Sequence, residues 1–153
     1  LMEVAQTSFI SSTFWTERIG PSAALKTLEV MEKNKSWDKI TKIGKKICNQ
    51  IQEISGKYQL KISQTGLSAL TTFVFESDNS IEYKTLISQE MLKKGFLATN
   101  AIYSSIAHTK SIIDKYFKEL DKIFLLIKEC ENGRKISDYL KYPVCHTQFK
   151  RLN

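Results

Sequence analysis

Apolar residues recur at three- and four-residue steps in the first third of the chain, which predicts two consecutive amphipathic helices. Pro21 suits the first turn of the first helix, because its missing N–H has no partner there in any case. The stretch from Asn34 to Ser36 breaks this helix, and Ser36 is predicted to cap the second, which should stop at Gly56. The predicted inward positions are Ala24, Leu25, Leu28 and Met31 in the first helix, and Trp37, Ile40, Gly44, Ile47, Ile51 and Ile54 in the second.

The same spacing predicts two more helices in the second half of the chain. Ser80 is the predicted cap of the third helix, which should end at Gly95. Thr109 is the predicted cap of a long fourth helix, which should end at Asn132 and Gly133. The predicted inward positions are Tyr83, Leu86, Ile87 and Met91, followed by Ile112, Ile113, Tyr116, Phe117, Leu120, Ile123, Phe124 and Ile127.

Between the second and third helices the pattern changes to one typical of strands. The segments "LKIS" (60–63) and "LTTFVF" (70–75) are rich in β-branched and aromatic residues, with Gly66 between them. A short extended stretch is predicted around Ile102 and Tyr103. The order ααββαβα therefore predicts the α+β class, with a small antiparallel sheet packed by helices.

The composition agrees with the predicted fold class and limits the kinds of protein to which the chain can belong. A length of 153 residues with 42% hydrophobic residues is enough for one domain with a real core. The apolar runs are shorter than a membrane-spanning helix needs, so no membrane span is expected. The first four residues, "LMEV", lack the basic start of a signal peptide and read as an element already under way, so we expect a fragment of a longer chain.

The net charge of +7 raises the question of nucleic-acid binding, which the pattern disfavours. The lysines between residues 33 and 46 interleave with Glu29, Glu32 and Asp38, as on a solvated helix face, and aromatic residues do not alternate with them as a base-stacking platform requires. The three cysteines lie far apart without a CxxC pair, and there are only two histidines, so no metal site is expected. Such cysteines are typical of reduced thiols in a cytoplasmic protein.

Residues that could take part in binding or catalysis occur at three places in the sequence. A turn rich in hydroxyls, Ser11 to Thr13, precedes a helix, and it is either an ordinary surface turn or an anion site. His108 precedes the predicted cap Thr109, which favours a local hydrogen-bonding role over catalysis. Cys145 and His146 are adjacent, so in an extended chain their side chains point apart and do not form a nucleophile pair.

Three segments resemble a known family: "SFISSTFWTERIGPSAALKTLEVME" (8–32), "GFLATNAIYSSIAHT" (95–109) and "YPVCHTQFKRLN" (142–153). They are similar to the C-terminal portion of class-III pyridoxal-phosphate aminotransferases, in the branch that resembles glutamate-1-semialdehyde aminomutase. The resemblance implies the small C-terminal domain of a fold-type-I enzyme, a homodimer with pyridoxal 5'-phosphate at the subunit interface. It assigns residues 1–20 to the end of the cofactor-binding large domain and the dimer-interface turn, and residues 21–153 to the small domain.

The resemblance also implies roles for individual residues. Thr13 stands where the family has a threonine that reaches across the dimer to the cofactor phosphate of the neighbouring subunit, and Ser12 is the second residue of that contact. The catalytic lysine of the family lies upstream of this chain, so no catalytic residue is expected within it. Lys42 and Lys110 follow a threonine in a similar way, but both fall on predicted solvated helix positions.

Two departures from the family favour an aminotransferase for another amino or keto compound over a strict aminomutase. Residues 14–18, "FWTER", replace the small turn that many relatives have after the threonine, and the acidic residue that seats the aminomutase substrate has no counterpart. The predicted function is transfer of an amino group between an amino compound and a keto acid or aldehyde. The alternatives are an aminomutase or a lyase or decarboxylase of the same fold, or a stand-alone basic domain that binds acidic partners.

Overall fold

The computed structural model describes residue 3 and residues 17–146. Within this part the chain forms four helices, three strands and one 3-10 turn. In chain order they are α1 (Ile19–Asn34), α2 (Ser36–Lys57), β1 (Ile62–Leu67), β2 (Leu70–Phe75), α3 (Ser80–Leu92), β3 (Ala101–Tyr103), α4 (Lys110–Glu131) and the 3-10 turn (Ile136–Asp138). The chain divides into two compact units after Ser36. The division predicted after residue 20 concerns a larger protein and stays a prediction.

The first helix, α1, is present as predicted and ends at Lys35, which adopts a left-handed conformation with φ of 45°. The Lys35 amide donates to the carbonyls of Glu32 and Met31, which satisfies two of the free carbonyls at the helix end. No residue of α1 is buried, and the predicted inward residues Leu25 and Leu28 are 71% and 61% exposed. The prediction that this apolar face packs inward is therefore wrong for the described residues, because a periodic pattern does not say what packs on the face it identifies.

The second helix, α2, presents its apolar stripe to the core of the second unit. Ile47 and Ile51 are almost fully buried, whereas Trp37 at the start of the helix is 48% exposed. The helix does not stop at Gly56 as predicted but continues to Lys57. It is terminated by Gln59, whose φ of 54° is left-handed, and the Leu60 amide then donates to the Ser55 carbonyl.

The three strands form one antiparallel sheet with the order β1-β2-β3. Strands β1 and β2 pair from Ile62 opposite Phe75 to Leu67 opposite Leu70, so the turn lies at residues 68–69. Gly66 was predicted to separate the strands, but it lies inside β1 with φ of +90°. A conformation of this kind is accessible to glycine within the strand, and the chain reverses only after Leu67.

The core of the second unit lies between the sheet and helices α2, α3 and α4. The rings of Phe73, Phe75 and Phe124 meet with centroid distances of 5.3 to 6.1 Å. The four predicted inward residues of α3 are fully buried, and most of those predicted for α4 are buried as well. The exceptions are Ile112, which is 43% exposed, and Tyr116, which is half-buried. The buried members are Tyr83, Leu86, Ile87, Met91, Ile113, Phe117, Leu120, Ile123, Phe124 and Ile127.

The three predicted helix caps have different outcomes, and Ser36 is the first residue of α2 rather than its cap. Thr109 caps α4, because its Oγ1 accepts a hydrogen bond from the Ile112 amide at 3.3 Å. Ser80 is the first residue of α3 rather than its cap, and the cap position is held by Asn79 without a side-chain hydrogen bond. The turn before α3 is closed instead by Ser77, whose hydroxyl oxygen accepts from the Asn79 amide at 3.3 Å.

Replacement of Thr109 by alanine is expected to lower the free energy of unfolding by about 1 kcal/mol, because one amide at the start of α4 loses its acceptor. The measurement is urea unfolding followed by circular dichroism. Ser111→Ala, an exposed position in the first turn of the same helix, is the matched control and should change stability by a few tenths of a kcal/mol at most. Equal losses in both variants would contradict the assignment of Thr109 as the cap.

After the 3-10 turn the chain returns along α3 and is held there by side-chain hydrogen bonds. The Gln89 amide nitrogen donates to the Tyr139 carbonyl at 3.0 Å, and its amide oxygen accepts from the Lys141 N–H at 2.7 Å. Farther along, the Cys145 N–H donates to the Thr85 hydroxyl oxygen at 3.0 Å. These bonds fix residues 139–145 against α3 without any regular secondary structure.

Candidate functional site

The residues predicted to bind the cofactor phosphate, Ser12 and Thr13, lie outside the described residues. The start of α1, which follows them in the sequence, is described, and two of its amides are already engaged. The Glu17 carboxylate accepts from the Gly20 N–H at 3.0 Å, Pro21 has no N–H, and the Ser22 N–H donates to the Arg18 carbonyl at 3.0 Å. A carboxylate at this position also disfavours an anion nearby. The amides of Gly20 and Ser22 therefore do not provide phosphate donors, and the predicted contact depends on the hydroxyl turn itself.

The second motif, residues 95–109, contains the edge strand β3 and forms a tight turn before α4. The Ser104 N–H donates to the Ala69 carbonyl at 2.8 Å, which extends the pairing of β3 with β2. The Asn100 side chain and carbonyl both bond to the backbone of Phe73, at 3.1 and 3.0 Å, which fixes the entry to β3. The sheet thus holds both ends of β3 in place.

His108 closes this turn through local hydrogen bonds, as predicted. The ring atom Nδ1 accepts a hydrogen bond from the Ser105 backbone N–H at 3.3 Å. The backbone N–H of His108 donates to the Ser105 carbonyl at 3.0 Å. Because Nδ1 is the acceptor, the neutral imidazole carries its proton on Nε2. The histidine positions the loop that leads to the Thr109 cap.

The other candidate side chains are placed separately. Lys42 and Lys110 both lie at exposed helix positions, in agreement with their predicted role as solvated lysines. Cys145 is a free, half-buried thiol whose backbone is tied to α3, and His146 beside it is exposed. Among residue 3 and residues 17–146, no group of three or more His, Cys, Asp or Glu side chains is arranged to hold a metal ion.

One polar cluster was not predicted from the sequence. Tyr83 is fully buried, and its hydroxyl donates to Glu131 Oε1 at 2.6 Å, an atom that also accepts from the Ser77 hydroxyl at 2.8 Å. Burial, and then the hydrogen bond to Glu131, raise the pKa of Tyr83 to about 12. A tyrosine at an inward helical position is itself a signal, because a buried phenol requires a partner. The cluster ties α3 to the end of α4 and is structural.

This raised pKa predicts a loss of stability in alkali. The tyrosine of the unfolded chain ionises near pH 10, whereas the folded chain keeps Tyr83 protonated to about pH 12. The contribution of Tyr83 is therefore fully present below pH 10 and is lost as the pH rises toward 12. Urea midpoints measured across this range should fall less steeply in Tyr83→Phe than in the parent chain. Tyr142→Phe, which removes an exposed phenol, should leave the slope unchanged, and equal slopes in all three chains would contradict this account.

Comparison with known proteins finds a related sequence and related solved structures. The chain is 28% identical over 83 residues to 3-aminobutyryl-CoA aminotransferase of Cloacimonas acidaminovorans (strain Evry), a match that covers 54% of this chain and 20% of that protein. It also superposes on the FumI protein of Sphingopyxis sp. MTA144, solved in its pyridoxal-phosphate (PLP) internal aldimine form, with a TM-score of 0.70 and 18% identity. That superposition covers 88% of this chain and 33% of the other. The chain shares the fold of one third of this pyridoxal-phosphate protein.

These matches have clear limits. No protein-family profile matches the chain. The chain spans about one fifth of the length of the related aminotransferase and one third of the solved protein. The predicted fold class is confirmed: an α+β unit in which a small antiparallel sheet of three strands is packed by helices. Within the described helices, none is long and apolar enough to cross a membrane.

Proposed function

We propose that this chain is the C-terminal part of a pyridoxal-phosphate-dependent aminotransferase. The observation that carries the proposal is the agreement of two separate comparisons, since the sequence is similar to an aminotransferase and the fold matches a pyridoxal-phosphate protein over 88% of the chain. The reaction is transfer of an amino group between an amino compound and a keto acid or aldehyde. When bound, the cofactor supplies an electron sink for that transfer.

The finer features of the proposal come from the resemblance of residues 8–32, 95–109 and 142–153 to class-III enzymes of the glutamate-1-semialdehyde aminomutase-like branch. They include a homodimer with the cofactor at the subunit interface, a cytoplasmic location, and a division into residues 1–20 and 21–153. The departures at residues 14–18 favour a substrate other than that of the aminomutase.

Within this chain, Ser12 and Thr13 are proposed to hold the cofactor phosphate of the neighbouring subunit. A hydroxyl donates to a phosphate without burying a second charge. The engaged amides at the start of α1 leave this task to the hydroxyls and to the rest of the full-length protein. In the second unit, the backbone of the turn at residues 95–109 is held by the sheet on one side and by His108 on the other.

The test is amino transfer by the full-length protein with pyridoxal phosphate added. A panel of amines is incubated with isotopically labelled keto acids, and mass spectrometry detects the amino acid that forms. We expect transfer that is abolished when the lysine upstream of this chain is replaced by alanine. Lys42→Ala and Lys110→Ala are matched controls and should retain activity, since both side chains lie on solvated helix surfaces.

Other outcomes separate the alternatives. Release of carbon dioxide or of a smaller fragment without transfer would identify a lyase or decarboxylase. Isomerisation of one substrate without a keto-acid partner would identify an aminomutase. A full-length protein that neither takes up pyridoxal phosphate nor transfers an amino group would contradict the proposal. That result would favour the alternative of a basic domain that binds acidic partners.

A further inference from the structure

Residues 141–145, "KYPVC", form a strap that lies along α3. Four of these five residues are exposed, and Cys145 is half-buried. The apolar members add little burial, since Tyr142 is 71% exposed and Val144 is 37% exposed. The hydrophobic effect, which holds the core of the second unit together, therefore contributes little to keeping the strap in place.

Hydrogen bonds to two side chains of α3 hold the strap instead. The Gln89 Oε1 accepts from the Lys141 N–H at 2.7 Å, and its Nε2 donates to the Tyr139 carbonyl at 3.0 Å. Thr85 Oγ1 accepts from the Cys145 N–H at 3.0 Å. Gln89 and Thr85 are four residues apart, so both lie on the same face of α3. All three bonds reach backbone atoms, so they depend on the path of the chain and not on its side chains.

The chain just before the strap is anchored in a different way. Tyr139 and Leu140 pack against the core of the second unit. The Tyr139 hydroxyl bonds to the Glu129 carboxylate, and the Arg134 guanidinium lies over its ring at 4.7 Å from the centroid. This anchor combines apolar burial with charged groups, whereas the bonds that hold the strap are neutral. The strap can therefore move about Leu140 without disturbing the core.

We propose that residues 141–145 open and close as one unit while the helices and sheet of the second unit stay folded, and that Gln89 and Thr85 together keep the strap closed. A segment with few buried apolar contacts opens at a lower free energy than the core beside it. Opening exposes the Cys145 thiol, which is half-buried in the closed state. The inference concerns the second unit alone and does not depend on the proposed enzymatic activity.

Amide hydrogen exchange of the full-length protein tests the inference, because the amides of Lys141 and Cys145 are the hydrogens that these bonds protect. Mass spectrometry with electron-transfer dissociation resolves them individually. Gln89→Met keeps the length of the side chain and removes its two bonds to the chain. If the strap opens as one unit, this variant speeds exchange at Cys145 as well, although Cys145 is bonded to Thr85. We expect an increase at Cys145 of roughly 5- to 100-fold, the range for two neutral hydrogen bonds.

The reciprocal variant removes the other bond. Thr85→Val should speed exchange at Lys141 roughly 3- to 10-fold, whereas Thr85→Ser, which keeps the hydroxyl, should not. Gln52→Met is the matched control, since Gln52 is an exposed glutamine of α2 that bonds to Gln64 of β1, and it should leave both strap amides unchanged. Exchange at Phe124, in the buried part of α4, shows that each variant stays folded and should not change.

Three results would overturn the inference. Unchanged exchange at Cys145 in Gln89→Met would show that the bonds to Gln89 and Thr85 break independently. Equal acceleration at Cys145 and Phe124 would show that the strap opens only when the core unfolds. Protection of the strap equal to that of Phe124 in the parent protein would show that the strap does not open separately. Should Gln89→Met fail to fold, Thr85→Val and Thr85→Ser decide alone, because both keep nearly the same side-chain volume.

Discussion

Replacement of Gly44 by alanine is expected to lower the free energy of unfolding by about 3 kcal/mol, at the upper end of the range for overpacking in a core. Gly44 lies in the middle of α2, where the helix touches the turn between β1 and β2. A methyl group added at this position would lie 1.9 Å from the Ser68 carbonyl oxygen and 2.9 Å from the Ala69 nitrogen. Both are backbone atoms, so the contact is relieved only if the helix and the turn move apart.

Gly56→Ala is the matched control, because it introduces the same methyl group in the last turn of the same helix. No atom lies within 4 Å of the position its Cβ would take. We expect this variant to be neutral or more stable by about 0.5–1 kcal/mol, since alanine has the higher helix propensity. Urea unfolding of both variants gives the comparison. A loss in Gly44→Ala no larger than that in Gly56→Ala would show that α2 does not approach the turn this closely.

Replacement of Thr13 by valine in the full-length protein is expected to weaken pyridoxal-phosphate binding about 10- to 150-fold. The substitution keeps the shape of the side chain and removes one hydrogen bond to a charged group, which contributes roughly 1.5–3 kcal/mol. The measurement is titration of the apoprotein with the cofactor. Unchanged affinity for pyridoxal phosphate would show that the Thr13 hydroxyl does not bind the cofactor.

Mixed dimers test whether the contact crosses the subunit interface. One subunit carries Thr13→Val, and its partner carries the intact threonine and lacks the upstream lysine. If Thr13 serves the neighbour's cofactor, one site of this hybrid combines an intact lysine with an intact threonine and keeps near-normal affinity. Equal weakening in the hybrid and in the Thr13→Val homodimer would place the contact within one subunit.

The sequence predicted the helices of the second unit well where apolar residues recur at three- and four-residue steps. The inward residues from Tyr83 to Met91 are buried because a 3.6-residue repeat leaves them only one common face. Glycine was a weaker guide, since Gly66 lies within a strand and Gly56 within a helix. Lys35 and Gln59 have positive φ and end α1 and α2. A rule that places helix ends at glycine does not select them. Their conformations depend on the packing of the elements on either side.

The candidate site was less predictable. The local role of His108 followed from its place before a cap, because such bonds form between near neighbours in the sequence. The cluster of Tyr83 with Glu131 depends on contacts between distant segments, which a one-dimensional pattern does not encode. Thr13 stays a prediction that rests on family resemblance.

The order of the strands has a consequence for how the second unit folds. Strands β1, β2 and β3 lie side by side in the order in which they occur in the chain. The first pairing closes only the two-residue connection at 68–69, and the second closes residues 76–100, of which α3 occupies about half. The entropy lost on closing a loop grows with its length, so this sheet assembles from near-neighbour segments at low entropic cost. Pairing between near neighbours in the sequence favours faster folding than long-range pairing does, and we expect the hairpin of β1 and β2 to be the earliest part of the sheet.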